Sequence, residues 1–132
     1  MEVRSYKDLK VWSQALDFGV EIYRLTRNFP REETYGLRAQ VRRAATSVAL
    51  NLAEGRSRAG TKEFLNFLSI ALGSLAETET LLTLSQRLGY LSDQETNSLM
   101  SRAEEIGRML RGLQQTLLRR LHAKSTRHRR GP

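Results

Sequence analysis

Apolar residues recur along this chain with the three-to-four spacing of helices and nowhere with the alternation of a strand. The first segment runs from about Lys7 to Asn28 and carries two stripes. Leu9, Trp12, Leu16, Val20 and Tyr23 lie on one side; Val11, Phe18, Ile22, Leu25 and Phe29 lie on another. At about 100° per residue the stripe centres stand well over a right angle apart, so this helix needs partners on two faces. Pro30, within "NFPREE", ends it. The second segment, about Glu33 to Gly55, lines up Leu37, Val41, Ala44, Ala45, Val48 and Leu52. After the short link "RSRAG", Thr61 is positioned as the N-cap of a third helix. That helix has Phe64, Leu68, Ala71, Leu75 and Leu82 on one line and Ile70, Leu81, Leu84 and Leu88 on another, with Gly89 as its stop. "SDQE", Ser92 to Glu95, has the S-x-x-E form of a capping box and opens a fourth helix with the stripe Leu99, Ala103, Ile106, Leu110, Leu113, Leu117 and Leu121.

Links this short make neighbouring helices antiparallel. The expected fold is all-α, an up-down-up-down four-helix bundle over residues 1–118, with 119–132 a basic extension of the last helix and tail. The first and third helices have apolar surface to spare. Self-association is expected through them, with Phe18, Ile22 and Leu25 at the interface. Gly73 and Gly107, inside helices, are expected at close helix approaches.

The 132 residues suffice for one domain with a real core. Apolar runs break well short of the roughly 18 residues of a membrane span, and "MEVRSYKDLKVW" does not read as a signal peptide. With no Cys, disulfides and thiolate metal sites are excluded and a reduced, cytoplasmic setting fits. Charge is where the composition departs from the ordinary. The net charge is +8, and residues 119–132 supply +6 of it, through Arg119, Arg120, Lys124, Arg127, Arg129 and Arg130. Residues 38–62 hold six bases against Glu54, whereas residues 77–105 hold six acids against Arg87 and Arg102. Such asymmetry points to a polyanionic partner.

Enzyme chemistry finds little footing. Gln40, Ser47, Asn51, Glu54 and Arg58 form a polar stripe beside the apolar line of the second helix, without a nucleophile, base or phosphate loop. Asn51 and Glu54 are therefore read as structural polar residues. A di-metal bundle needs Glu-x-x-His pairs on two helices, and a Ser-His-Asp triad needs a core His. His122 and His128 both fall in the terminal basic region, so no metal site, no cofactor and no catalytic set is expected. Trp12, Phe18, Tyr23, Phe64 and Phe67 sit in or beside apolar stripes and are read as packing rather than base-stacking residues.

Four stretches in order, "YKDLKVW", "NFPREETYGLRAQVRRAATSVALNLAEGRSR", "KEFLNFLSIALGSLAETETLL" and "GYLS", resemble the bacterial four-helix-bundle proteins encoded in 23S ribosomal RNA intervening sequences. The accessory variability proteins of diversity-generating retroelements are more distantly similar. The likeness spans about residues 6–118 and includes the run Asn51-Leu52-Ala53-Glu54-Gly55. It implies a homopentameric barrel of bundles and a non-enzymatic role tied to RNA or an RNA-handling complex, with a reverse transcriptase as one candidate partner. Where relatives often carry an Ile-Pro-Ser kink, this chain has Val48-Ala49-Leu50, so a straighter second helix is expected. The expected function is binding of RNA or DNA by an oligomeric accessory protein that has no membrane role. Its contacts would be Arg42, Arg43, Arg56, Arg58 and Lys62 with the basic residues of 119–130. The competing reading is an oligomeric protein-interaction scaffold whose tail only solubilises.

Overall fold

The computed structural model describes Tyr6, residues 9–58 and residues 60–129. Four helices account for most of them: α1 (Lys10–Thr26), α2 (Leu37–Ser57), α3 (Thr61–Arg87) and α4 (Asp93–Arg129), with a 3-10 turn at Arg31–Glu33 between the first two. No strand occurs among the described residues. α2 packs most extensively on α3, α1 packs on α2, α3 on α4, and α4 closes the bundle against α1. Phe18 and Ile22 of α1, Val41, Val48 and Leu52 of α2, Leu68 and Leu82 of α3, and Leu99, Ile106 and Leu110 of α4 fill the shared core, each at most 1 % exposed. Side chains of this kind stabilise the fold by about 1.5–3 kcal/mol each when buried, relative to exposure.

The helix ends show how the sequence sets the boundaries. Ser92 and Glu95 form the expected reciprocal box: the Glu95 N–H donates to Ser92 Oγ at 3.0 Å and the Ser92 N–H to Glu95 Oε1 at 2.9 Å. α3 stops where Gly89 takes φ +82°, a left-handed conformation that favours glycine. There the Gly89 N–H reaches the Gln86 carbonyl at 3.0 Å and the Tyr90 N–H the Ser85 carbonyl at 2.9 Å, the paired bonds of a Schellman motif. Thr61 is not the N-cap of α3 but its first helical residue, because Gly60 takes the capping position. α2 begins at Leu37 rather than Glu33, the residues before it being used in the 3-10 turn. The Glu33 carboxylate accepts the Leu37 N–H at 3.0 Å and so caps the helix from outside. The expected start of the first helix at Lys7 lies outside the described residues.

Gly55 does not end α2. It lies buried within the helix, and a Cβ built there would fall 2.6 Å from Phe67 Cβ and 3.1 Å from Phe64 Cδ1. Two turns earlier, Ser47 Oγ and Ser74 Oγ hydrogen-bond across the same seam at 2.9 Å. Partner numbers thus fall along α3 as they rise along α2. The run from Val48 to Leu50 is unbroken helix. At Gly107 a built Cβ would meet Leu75 Cδ2 only at an ordinary contact distance of 3.4 Å, its tighter neighbours being the Arg111 guanidinium of the same helix. Gly73 has nothing within 4 Å, so neither glycine marks a close helix approach inside the chain.

One expectation about α1 needs correction. Phe18 and Ile22 are 0 % exposed and Leu25 is buried, so these residues belong to the core of the single chain and cannot line an interface. The spare face of α1 is its other stripe, where Val20 is 68 % exposed and Leu16 and Tyr23 are also exposed. α3 likewise leaves Ile70, Leu84 and Leu88 exposed. One 18-residue window of α3 reaches a mean hydropathy of 1.3 with only 33 % of it buried, so by length and composition this helix passes a test for spanning a membrane. Its Phe64–Leu68–Leu75–Leu82 line is bundle core, which accounts for much of that apolar character.

The predicted consequence at Gly55 is specific. Gly55→Ala should cost about 1–3 kcal/mol by overpacking, because the clash is with the root of the Phe67 side chain rather than its mobile end. Thermal unfolding followed by circular dichroism checks it, with a fall in Tm of several degrees expected; an unchanged Tm would mean the α2–α3 seam is looser than described.

Candidate nucleic-acid interface

The last turn of α2, the first turn of α3, the start of α1 and the late turns of α4 converge on a concavity of about 250 Å³. Arg56, Arg58 and Arg120 stand on its wall, with Gly60, Thr61 and Thr116, over a floor of Leu9, Phe64, Leu113 and Leu117. Leu117 is the last buried residue of α4 among those whose side chains are described. Beyond it the helix continues to Arg129, about 18 Å at 1.5 Å per residue. Arg119, Arg120 and Lys124 are exposed on this overhang, and Lys62 is exposed one residue into α3. The side chains of Arg127 and Arg129, and Arg130 altogether, lie outside the described part. The basic extension therefore continues the last helix as far as Arg129.

Arg42 and Arg43 are not part of this end. They lie about 24 Å along α2 from Arg58, by the same helical rise. With Arg38, Thr34, Thr46 and Tyr23 they border a separate hollow of about 480 Å³. Arg42 is held there by α1: its Nε donates to Thr26 Oγ1 at 2.8 Å, its Nη2 to the Tyr23 carbonyl at 3.1 Å, and its guanidinium stacks 4.4 Å from the Tyr23 ring centroid. It therefore serves the last turn of α1, whose carbonyls need donors. Arg38 does similar work, donating from Nη2 to the Phe29 carbonyl, while its Nε is buried without a hydrogen-bond partner. Nothing in the order of the sequence distinguishes these two arginines from Arg43, which is exposed.

The polar run at the end of α2 has local explanations. Asn51 Nδ2 donates to the Ser47 carbonyl at 2.8 Å and to Ser47 Oγ at 2.9 Å, the same hydroxyl that bonds Ser74 Oγ. Glu54 pairs with Arg58 one turn on, both side chains about half exposed. The Arg58 guanidinium also lies 5.5 Å from the Phe67 ring centroid. Among the other carboxylates, burial and then the nearby Glu104 hold Glu79 above its ordinary value, with Arg111 opposing. No group of three or more His, Asp or Glu side chains placed to hold a metal occurs among the described residues.

Sequence reasoning missed a third feature, an apolar groove of about 660 Å³ between α1 and α2. Trp12, Leu16, Val20, Tyr23 and Leu50 form its banks over Ala15, Gly19 and Ala49. Leu50, 67 % exposed, was the available signal, since it is a large apolar residue off the core line of its helix.

These features define a four-helix bundle with a basic end and an apolar flank. The 23S rRNA-intervening sequence protein profile matches residues 7–112, and the chain belongs to that family. Among solved structures, it is similar to a protein of unknown function from the S23 ribosomal protein family of Bacteroides thetaiotaomicron VPI-5482. The two are 26 % identical with a TM-score of 0.74, over 80 % of this chain and 95 % of that one. None of the curated proteins compared matches the chain.

Two substitutions separate structural from interfacial roles here. Arg42→Ala should destabilise the fold by about 1–2 kcal/mol through the lost bonds to α1, as read from urea unfolding. Glu54→Gln should change stability by less than about 0.5 kcal/mol, because an exposed i,i+4 pair is worth little. A larger loss in Glu54→Gln than in Arg42→Ala would reverse these assignments.

Proposed function

We propose that this chain is a non-enzymatic accessory protein that binds RNA or DNA through phosphate contacts and works in the cytoplasm as a homo-oligomer of up-down-up-down antiparallel bundles. The observation that carries this reading is the gathering of Arg56, Arg58, Lys62, Arg119, Arg120 and Lys124 at one end of the bundle. Bases clustered on one surface raise the local potential and release counterions when phosphates replace them. The family's connection with 23S rRNA intervening sequences agrees with a nucleic-acid partner, and an RNA-handling complex built around a reverse transcriptase is the setting the wider resemblance implies.

Self-association supports the same reading. The groove of α1 and α2 and the exposed Ile70, Leu84 and Leu88 of α3 are apolar surfaces on different sides of one chain. Joined head to tail, such surfaces give a ring when the rotation between copies closes, and the resemblance implies closure at five. Five copies of a +8 chain would present about +40, and weak contacts would add by avidity. The same groove is the observation that favours the second reading, a scaffold that binds proteins and not nucleic acid.

The readings part on salt dependence. For single-stranded RNA the logarithm of affinity should fall with log salt by about 0.7 per phosphate neutralised, and truncation after Leu118 should make that slope shallower by several contacts while the bundle stays folded. Equal slopes would remove the extension from the interface; absence of binding by the full chain would leave the scaffold. For assembly, Val20→Glu should lower the mass found by light scattering while helical circular dichroism survives. Ile22→Glu should abolish the fold itself, because its side chain is wholly buried. A wild-type mass of 15.1 kDa at micromolar concentration would contradict self-association.

A further inference from the structure

Within the basic end, the concavity between α2 and α4 differs from the surface around it. A basic surface that merely attracts a strand needs no recess, yet Arg56, Arg58 and Arg120 surround one whose floor is Phe64 and Leu117. They come from two helices distant in sequence, and the packed ends of α2, α3 and α4 hold their backbones in place. The recess has a volume of about 250 Å³. That is far more than the roughly 10–15 Å³ one water needs and somewhat below the range of small-molecule pockets, about 300–1,000 Å³. It suits one small group with its attached sugar, not a length of strand. Guanidinium forks match the oxygens of a phosphoryl group, and an apolar floor suits the face of the adjoining nucleoside.

We propose that this recess is a discrete phosphoryl-binding site that seats one nucleotide, its phosphate on Arg56 and Arg120 and its nucleoside toward Phe64. Arg58, paired with Glu54, stands on the same wall. Arg120, exposed on α4, makes none of the ion pairs found among the described residues. Thr61 adds a hydroxyl at the rim. Glu63 folds back over Gly60, its Oε1 3.6 Å from where a Cβ would stand, and sets a limit on the charge the site accepts. The identification of the ligand as a nucleotide rests on the nucleic-acid reading above. The site differs from that reading in being local: one position on the protein, not total charge, governs the tightest contact.

The test uses the full chain with three probes: uridine, uridine 5′-monophosphate, and a short oligouridylate with a 5′-phosphate or a 5′-hydroxyl. In amide NMR, the monophosphate should shift Gly60, Thr61 and Thr116 saturably, and uridine should not. By fluorescence anisotropy, the double variant Arg56→Gln/Arg120→Gln should lose about tenfold or more in oligonucleotide affinity, as for lost hydrogen bonds to a charged group. A charge-matched pair at the opposite end, Arg31→Gln/Arg87→Gln, should lose much less. A preference for the 5′-phosphorylated strand would assign the site to strand ends, and equal binding of both strands to phosphates within a strand. Saturation by the monophosphate without any oligonucleotide binding would assign it to free nucleotides and overturn the strand reading alone. Equal losses in the two double variants, with no monophosphate shifts at these amides, would overturn the site while leaving general nucleic-acid binding intact.

Discussion

Where Gly55 of α2 meets Phe67 and Phe64 of α3 there is no room for a single extra carbon. That contact holds the last turns of α2 tightly against the first turns of α3. Arg56 and Arg58 follow immediately, and α3 begins at Thr61. The wall of the basic recess is thus built from residues whose backbone the seam has already placed. The Ser47–Ser74 bond, with Asn51 donating to the same Ser47 hydroxyl, joins the same seam further along. Small and polar residues at this interface give up apolar burial for proximity, and the large side chains of the core compensate.

The architecture was legible because its signals are local and strong. The box at Ser92–Glu95 and the stop at Gly89 are encoded within a few residues, and the core lines of α2 and α4 follow one helical period. What sequence misjudged was choice between equivalent local patterns. α1 has two apolar stripes, and only the packing of α2 and α4 decides that Phe18 and Ile22 face inward while Val20 faces out. Gly55 reads as a helix stop by itself; its real constraint is a phenylalanine on another helix.

The basic residues divide in the same way. Charge counting finds all of them but cannot tell an arginine that binds its own helix ends from one that faces solvent. Arg42 and Arg38 point to carbonyls of residues 23 and 29, contacts that exist only once α1 and α2 are docked. Arg120 becomes notable only because α4 brings it beside the α2–α3 link, more than fifty residues away in sequence. The bundle thus ties Arg38 and Arg42 to the end of α1 while Arg58, Arg119 and Arg120 stand at the other end, and it leaves an apolar flank between α1 and α2.

The central claim is that the nucleic-acid surface is this displayed end and not the flank. Hydrogen–deuterium exchange of the full chain with and without single-stranded RNA locates the surface directly. The account predicts slowed exchange at residues 56–62 and 117–124, with residues 16–23 and 46–50 unchanged by the RNA. Protection confined to the α1–α2 groove, or no protection anywhere at saturating RNA, would contradict it.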